Sequence, residues 1–150
     1  MRYLVAGGGT GGHIYPALAI ADGIKAKYPD AEIVYVGTGN RTERRIIQGG
    51  NRTYIYTYKV VRSAGLPRPL LSMRLPVFCI SLLLGFMQSL LILVKFRPSV
   101  VIGTGGYATV PIILASRLLR IKSFIHEQNA TPGLANKLLS HLVSRIGVSW

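Results

Sequence analysis

Glycine fills every position from Gly7 to Gly12 except Thr10, and His13-Ile14-Tyr15-Pro16 follow at once. A turn stripped of side chains lets backbone N–H groups close on an anion. A helix starting at the same place adds the partial positive charge of its N-terminus. Phosphate or diphosphate is the guest such a loop suits. His13 stands at its rim, where a neutral imidazole is a serviceable general base near pH 7. The pattern returns: Gly9-Thr10-Gly11-Gly12-His13-Ile14-Tyr15-Pro16 is echoed, one residue longer, by Gly103-Thr104-Gly105-Gly106-Tyr107-Ala108-Thr109-Val110-Pro111. Two such loops facing one crevice suit a diphosphate with something bulky on either side. The bland alternative is that the glycines only turn the chain tightly.

A third segment carries polar chemistry. Phe124-Ile125 runs into His126-Glu127-Gln128-Asn129, followed by Ala130-Thr131-Pro132-Gly133-Leu134-Ala135-Asn136-Lys137. Such an abrupt polar end to an apolar strand places these side chains at a sheet edge. His126 and Glu127 either face the crevice or only tie the loop to its neighbours. Asn136, one turn into the next helix, is placed to cap or orient that loop.

The elements that must position these groups alternate along the chain. Apolar, strand-like runs lie at 2–6, 32–37, 53–61, 99–102, 122–126 and 145–149, and helical patterns at about 14–27, 41–49, 72–96, 109–120 and 132–142. Strands apolar on both faces alternating with helices predict an α/β fold, a doubly wound, Rossmann-like parallel sheet. Ligands of such sheets bind beyond the carboxyl ends of the strands, where strand order reverses. The glycine turns follow the first and fourth strands, so the two loops share the crevice if those strands are neighbours.

Leu75 to Val94 is a run of 20 residues without a charge, between Arg74 and Lys95. Its length suits a membrane span. A span would separate the third and fourth strands across a bilayer, so a surface helix is expected instead. Ser81, Gly85, Gln88 and Ser89 give it only a weakly polar stripe. Its outer side should then meet lipid or another protein, with Arg62, Arg68, Arg74, Lys95 and Arg97 suited to anionic head groups.

The 150 residues form one domain with room for a core, 49% of them hydrophobic. Eighteen basic residues against five acidic ones give a net charge of +13, which implies an anionic partner. The basic residues are scattered and no nucleic-acid motif accompanies them, so nucleic acid is not expected. The lone Cys79 allows no internal disulfide and fits a reducing compartment. Met1-Arg2 leads straight into a strand, so no secretory leader is expected and the Asn-x-Thr triplets at Asn40, Asn51 and Asn129 carry no glycan. Gly7, Gly9 and Gly12 satisfy a dinucleotide fingerprint, but the second strand ends Tyr35-Val36-Gly37-Thr38 without the acid that holds a ribose. A phosphate-binding lysine loop fails too, with His13-Ile14 where Lys-Ser/Thr is required. Asp30-Ala31-Glu32 precedes the second strand, away from the glycine loops, and reads as a solvated turn. His13, His126 and His141 have no metal-ligand spacing, so no metal site is expected.

The two glycine segments and the His-Glu-Gln-Asn-Ala-Thr-Pro-Gly-Leu-Ala-Asn-Lys-Leu-Leu segment, in this order, closely resemble the MurG family, bacterial GlcNAc transferases that convert lipid I to lipid II in peptidoglycan synthesis. The resemblance runs from Met1 to Trp150. It implies the N-terminal half of a two-domain, GT-B type glycosyltransferase. The expected reaction is inverting and independent of metal and cofactor: GlcNAc passes from UDP-GlcNAc to the muramyl 4-hydroxyl of an undecaprenyl-diphosphate-linked acceptor. By position, Thr10, Gly11, Gly12 and Asn129 would be this half's contribution to UDP-GlcNAc binding. Gly9, Gly103, Thr104, Gly105, Gly106, Tyr107, His126 and Asn136 would serve the acceptor and its diphosphate. His13 is the first candidate for the base and Glu127 the second. Glu43 falls near a family Glu but receives no role. The family also implies peripheral attachment to the cytoplasmic face of the cell membrane through residues 75–94. The chain has about half the family's length, so the donor-nucleotide domain is expected elsewhere, and this chain alone is expected to be inactive. The rival readings are a non-catalytic, membrane-docked acceptor subunit of a split transferase, and an NAD-binding domain.

Overall fold

A computed structural model of the protein describes residues 1–49, 56–67, 69 and 73–149. The elements are β1 (Arg2–Ala6), α1 (Gly11–Lys27), β2 (Glu32–Gly37), α2 (Arg41–Gly49), β3 (Thr57–Val60), α3 (Leu75–Phe96), β4 (Val100–Gly103), α4 (Thr109–Leu118), β5 (Lys122–Glu127), α5 (Leu134–Leu139) and β6 (Arg145–Val148). The expected strand over 53–61 is seen from Thr57; its first residues, 53–55, lie outside the described residues, as do Asn51, Arg68 and Ser72. Helix α1 begins at Gly11, three residues ahead of the apolar pattern, because the glycines of its first turn carry no periodic signal.

The strands pair in parallel in the order β3-β2-β1-β4-β5-β6. Order therefore reverses between β1 and β4, the two strands that end in glycine loops. Ala6 pairs with Gly103 and with Val36, so these strands finish level with one another. Leu4, Ala6, Val34, Val101 and Ile125 pack on one face against α3, α4 and α5. Val5, Tyr35 and Ile102 pack on the other against α1, through Ile14, Ala17, Leu18 and Ala21. Burial on both faces is why the strands read as unbroken apolar runs.

Helix α3 lies on the sheet's α4 side and does not span a bilayer, since β3 before it and β4 after it belong to the same sheet. Of its weakly polar stripe, Gly85, Gln88 and Ser89 turn toward the protein. Gly85, Ser89 and Leu93 are buried. A Cβ on Gly85 would stand 2.0 Å from the Arg62 carbonyl oxygen, so only glycine admits this approach. The Ser89 hydroxyl donates to the Gly85 carbonyl (2.7 Å), and Gln88 Oε1 accepts from the Arg62 N–H (2.7 Å). The outward face is Val77, Ile80, Leu83, Met87, Leu91 and Val94, each at least half exposed.

Candidate active site

The two glycine loops pack onto each other at the switch point. Gly106 has φ +78°, and a Cβ there would lie 2.1 Å from the Gly8 carbonyl oxygen. No side chain fits between the loops. Thr104 N–H donates to Ala6 O (2.9 Å) and its hydroxyl to His13 O (2.7 Å), stitching the second loop to the first. Gly103 and Thr104 are buried beneath the loop. The Gly103 Cα and the Thr104 side chain are covered by the loop above them. Thr10 is exposed at the N-cap of α1 with no side-chain capping bond, leaving its hydroxyl beside the first-turn amides of Gly11 and Gly12.

His13, on the first turn of α1, crosses to the second loop. Its Nδ1 lies 2.9 Å from the Thr104 carbonyl oxygen and 2.8 Å from the Gln128 carboxamide. The ring covers Gly105 and Gly106, leaving no room for a Cβ at Gly105. His13 lines a cavity of about 970 Å³, and its Nε2 has no hydrogen-bond partner among the described residues.

That cavity has three walls. Gly9, Thr10, His13, Gly105, Gly106 and Tyr107 form the loop wall; Asn136 and Leu138 belong to α5; Ser63 to Pro67 and the start of α3 (Arg74, Val77, Phe78, Leu82) close the rest. The exposed apolar face of α3 thus runs into the cavity from the surface. Tyr107 is half exposed and lies over Gly65. These apolar walls, the loop before α3 and α3 itself, are not legible as site residues from sequence, because nothing local marks which end of α3 meets the loops.

Glu127 ends β5 almost fully buried, at 3% exposed. Its Oε1 accepts from the Asn129 N–H and side-chain amide (both 2.9 Å), its Oε2 from the Gly133 N–H (3.0 Å) and Asn136 Nδ2 (2.9 Å). Burial alone would raise its pKa. The bonds from Asn129, Asn136 and Gly133 outweigh burial and hold it below the ordinary carboxyl value. Both oxygens of Glu127 are engaged by the loop after β5 and by Asn136 of α5, so the carboxylate ties that loop to its neighbours. Asn129 is drawn onto this carboxylate. Asn136 reaches the cavity wall, with a buried Oδ1 that has no donor among the described residues. His126 points to the opposite face of the sheet and its Nε2 meets Ser149 Oγ (3.2 Å), so it does not join the cavity group.

Glu43 is the residue the sequence did not assign. It is fully buried on α2. Oε2 accepts from the Gly9 N–H (3.3 Å) and from Thr38 N–H and hydroxyl (3.1 and 2.9 Å); Oε1 accepts from Gly39 N–H (3.3 Å) and the Tyr58 hydroxyl (2.5 Å). Burial first, then the bond to this carboxyl, push the Tyr58 phenol well above its ordinary pKa. Because Gly9 gives its N–H to Glu43, that amide is not available to an anion. Asn40 Nδ2 holds the Gly9 carbonyl from the same side (3.1 Å). Asp30 and Glu32, by contrast, stay at the far edge, where Glu32 pairs with Arg2 (3.0 Å).

This fold, with a glycine-loop crevice at its switch point, is that of the N-terminal domain of GT-B type glycosyltransferases. Residues 3–148 match the model of the glycosyltransferase family 28 N-terminal domain, and the chain belongs to that family. It is 48% identical over its whole length to the UDP-N-acetylglucosamine–N-acetylmuramyl-(pentapeptide) pyrophosphoryl-undecaprenol N-acetylglucosamine transferase of Desulforudis audaxviator, covering 39% of that protein. It is 44% identical over 97% of its length to the enzyme of the same name from Caldicellulosiruptor saccharolyticus, covering 38% of it. The crystal structure of Acinetobacter baumannii MurG superposes with a TM-score of 0.79 at 27% identity, over 99% of this chain and 41% of that one. The chain thus spans about two fifths of the length of these relatives, which carry the domain within a single longer polypeptide. Neither a nicotinamide-binding domain nor a split transferase is favoured by these likenesses.

Proposed function

We propose that this domain is the acceptor half of a transferase that moves GlcNAc from UDP-GlcNAc to the muramyl 4-hydroxyl of an undecaprenyl-diphosphate-linked acceptor, the lipid I to lipid II step. The observation that carries the reading is the cavity itself: His13 and the glycine loops on one wall, the apolar start of α3 on the other. A lipid-linked diphosphate needs both. The amides of Gly11 and Gly12 at the α1 N-terminus and those of Gly105 and Gly106 supply positive potential to the diphosphate. The exposed face of α3, with Arg62, Arg74, Lys95 and Arg97 around it, rests on an anionic membrane at the cytoplasmic face, so the acceptor reaches the cavity without leaving the lipid. Thr10 and Asn129, both exposed, are this half's candidates for contact with the donor nucleotide.

In the reaction, Nε2 of His13 takes the proton of the 4-hydroxyl as its oxygen bonds to the anomeric carbon of GlcNAc. The bond from that carbon to the UDP oxygen breaks, UDP leaves with the electron pair, and configuration inverts. Glu127 shapes the loop and does not carry the proton. The test is His13→Ala in a full-length protein carrying this domain. We expect kcat to fall about 10²–10⁴-fold, with the donor KM little changed. If His13→Ala raises only the acceptor KM while Glu127→Ala loses several orders of magnitude in kcat, the roles are reversed.

A further inference from the structure

His13 lines the cavity, and of its two ring nitrogens only Nδ1 meets groups of the described protein. The Thr104 carbonyl oxygen lies 2.9 Å from Nδ1, and the Gln128 carboxamide, placed with its Nε2 toward the ring, lies 2.8 Å from it. A carbonyl oxygen only accepts, so the first contact is a hydrogen bond only when Nδ1 carries the proton. Thr104 is fully buried and fixed at the end of β4, so its carbonyl cannot turn away to water. With the proton on Nδ1, Gln128 presents its oxygen to the same N–H, since a half-turn of the carboxamide exchanges its two ends without changing its shape.

We propose that Gln128 is a positioning residue for His13. Together with the Thr104 carbonyl it clamps Nδ1–H between two oxygens. The clamp fixes the tautomer whose lone pair is on Nε2. When Nε2 accepts a proton, the ring becomes cationic and the bonds from Nδ1–H strengthen. Gln128 follows directly on Glu127, so the carboxylate that orders this loop also sets the clamp. The neighbouring acids do not bond the imidazole: Glu43 is bound up under Gly9 and Glu127 by Asn129, Gly133 and Asn136. A neutral carboxamide orients the ring without placing a negative charge beside loops that must hold a diphosphate.

The proposal rests on His13 acting as the base, but the clamp exists without substrate and is measured separately. Nitrogen-15 NMR of the chain as it stands, at a pH where the ring is neutral, should show His13 as the Nδ1–H tautomer. Gln128→Met, equal in length but without the oxygen, should mix the tautomers. A wild-type ring in the Nε2–H form overturns the clamp. In a full-length protein, Gln128→Met should lower kcat on the order of 10–100-fold with the donor KM unchanged. Gln128→Glu, which keeps an oxygen on Nδ1–H, should restore kcat but raise the acceptor KM. If Gln128→Met costs as much in a His13→Ala background as alone, Gln128 acts elsewhere and the proposal falls. An Nδ1–H ring together with an unaffected His13→Ala enzyme would instead overturn the transfer chemistry and leave the clamp standing.

Discussion

Four donors converge on the Glu127 carboxylate from its own loop, and the sign of its pKa shift makes this testable by pH. The folded pKa lies below the unfolded value of about 4.3. Its contribution to stability is therefore present in full above that value and is lost as pH falls through the folded pKa. Glu127→Gln should lower the melting temperature at pH 7, and the gap to wild type should close as pH falls through the lowered folded pKa. A gap independent of pH would mean that the charge is not what orders the loop. Gly106 presents the same kind of single-residue dependence in steric form. With φ +78° and the Gly8 carbonyl in the way, Gly106→Ala must part the two loops. Acceptor binding should suffer more than global stability, read as a rise in acceptor KM against a small change in melting temperature.

Between elements, Glu43 joins α2, the β2–α2 turn, β3 and the first glycine loop through one buried side chain. Glu43→Ala would leave three N–H groups and two hydroxyls without their acceptor. A loss of about 3 kcal/mol is expected, which lowers the melting temperature by about 6–12 °C in a domain of this size. Helix α3 poses the opposite case, because its outward residues hold nothing inside the protein. Leu83 and Met87 are 61% and 50% exposed. Replacing both with Asp should leave the melting temperature nearly unchanged and abolish sedimentation with anionic vesicles. Vesicle binding that survives the double substitution would put the membrane contact on another surface.

At the scale of the molecule, the cavity brings together His13, the glycine loops and an apolar wall, which on the proposed reading serve the acceptor. The relatives carry this domain together with a longer stretch of chain, so the donor nucleotide should need more than these residues. Purified residues 1–150 are expected to show no GlcNAc transfer from UDP-GlcNAc to a lipid-linked acceptor. Measurable transfer would overturn this division of labour.

The alternation of elements was readable from sequence because strand and helix periods, and the glycines that interrupt them, are local properties. The two loops, the base candidate and the apolar helix were readable for the same reason. The sense of each was not. Sequence left open whether β1 and β4 are neighbours, and sheet pairing places them side by side. It left Glu127 between two roles and Glu43 without one, since a carboxylate's role depends on which donors the fold brings around it. It left open which way the Ser81-Gly85-Gln88-Ser89 stripe faces, and packing against Arg62 turns Gly85 and Gln88 in. Residue types and spacings determine which chemistry the chain can carry. Which nitrogen of His13 is open, and which acid is used up in holding a loop, is decided by tertiary structure, because burial and hydrogen-bond partners come from residues far apart in the chain.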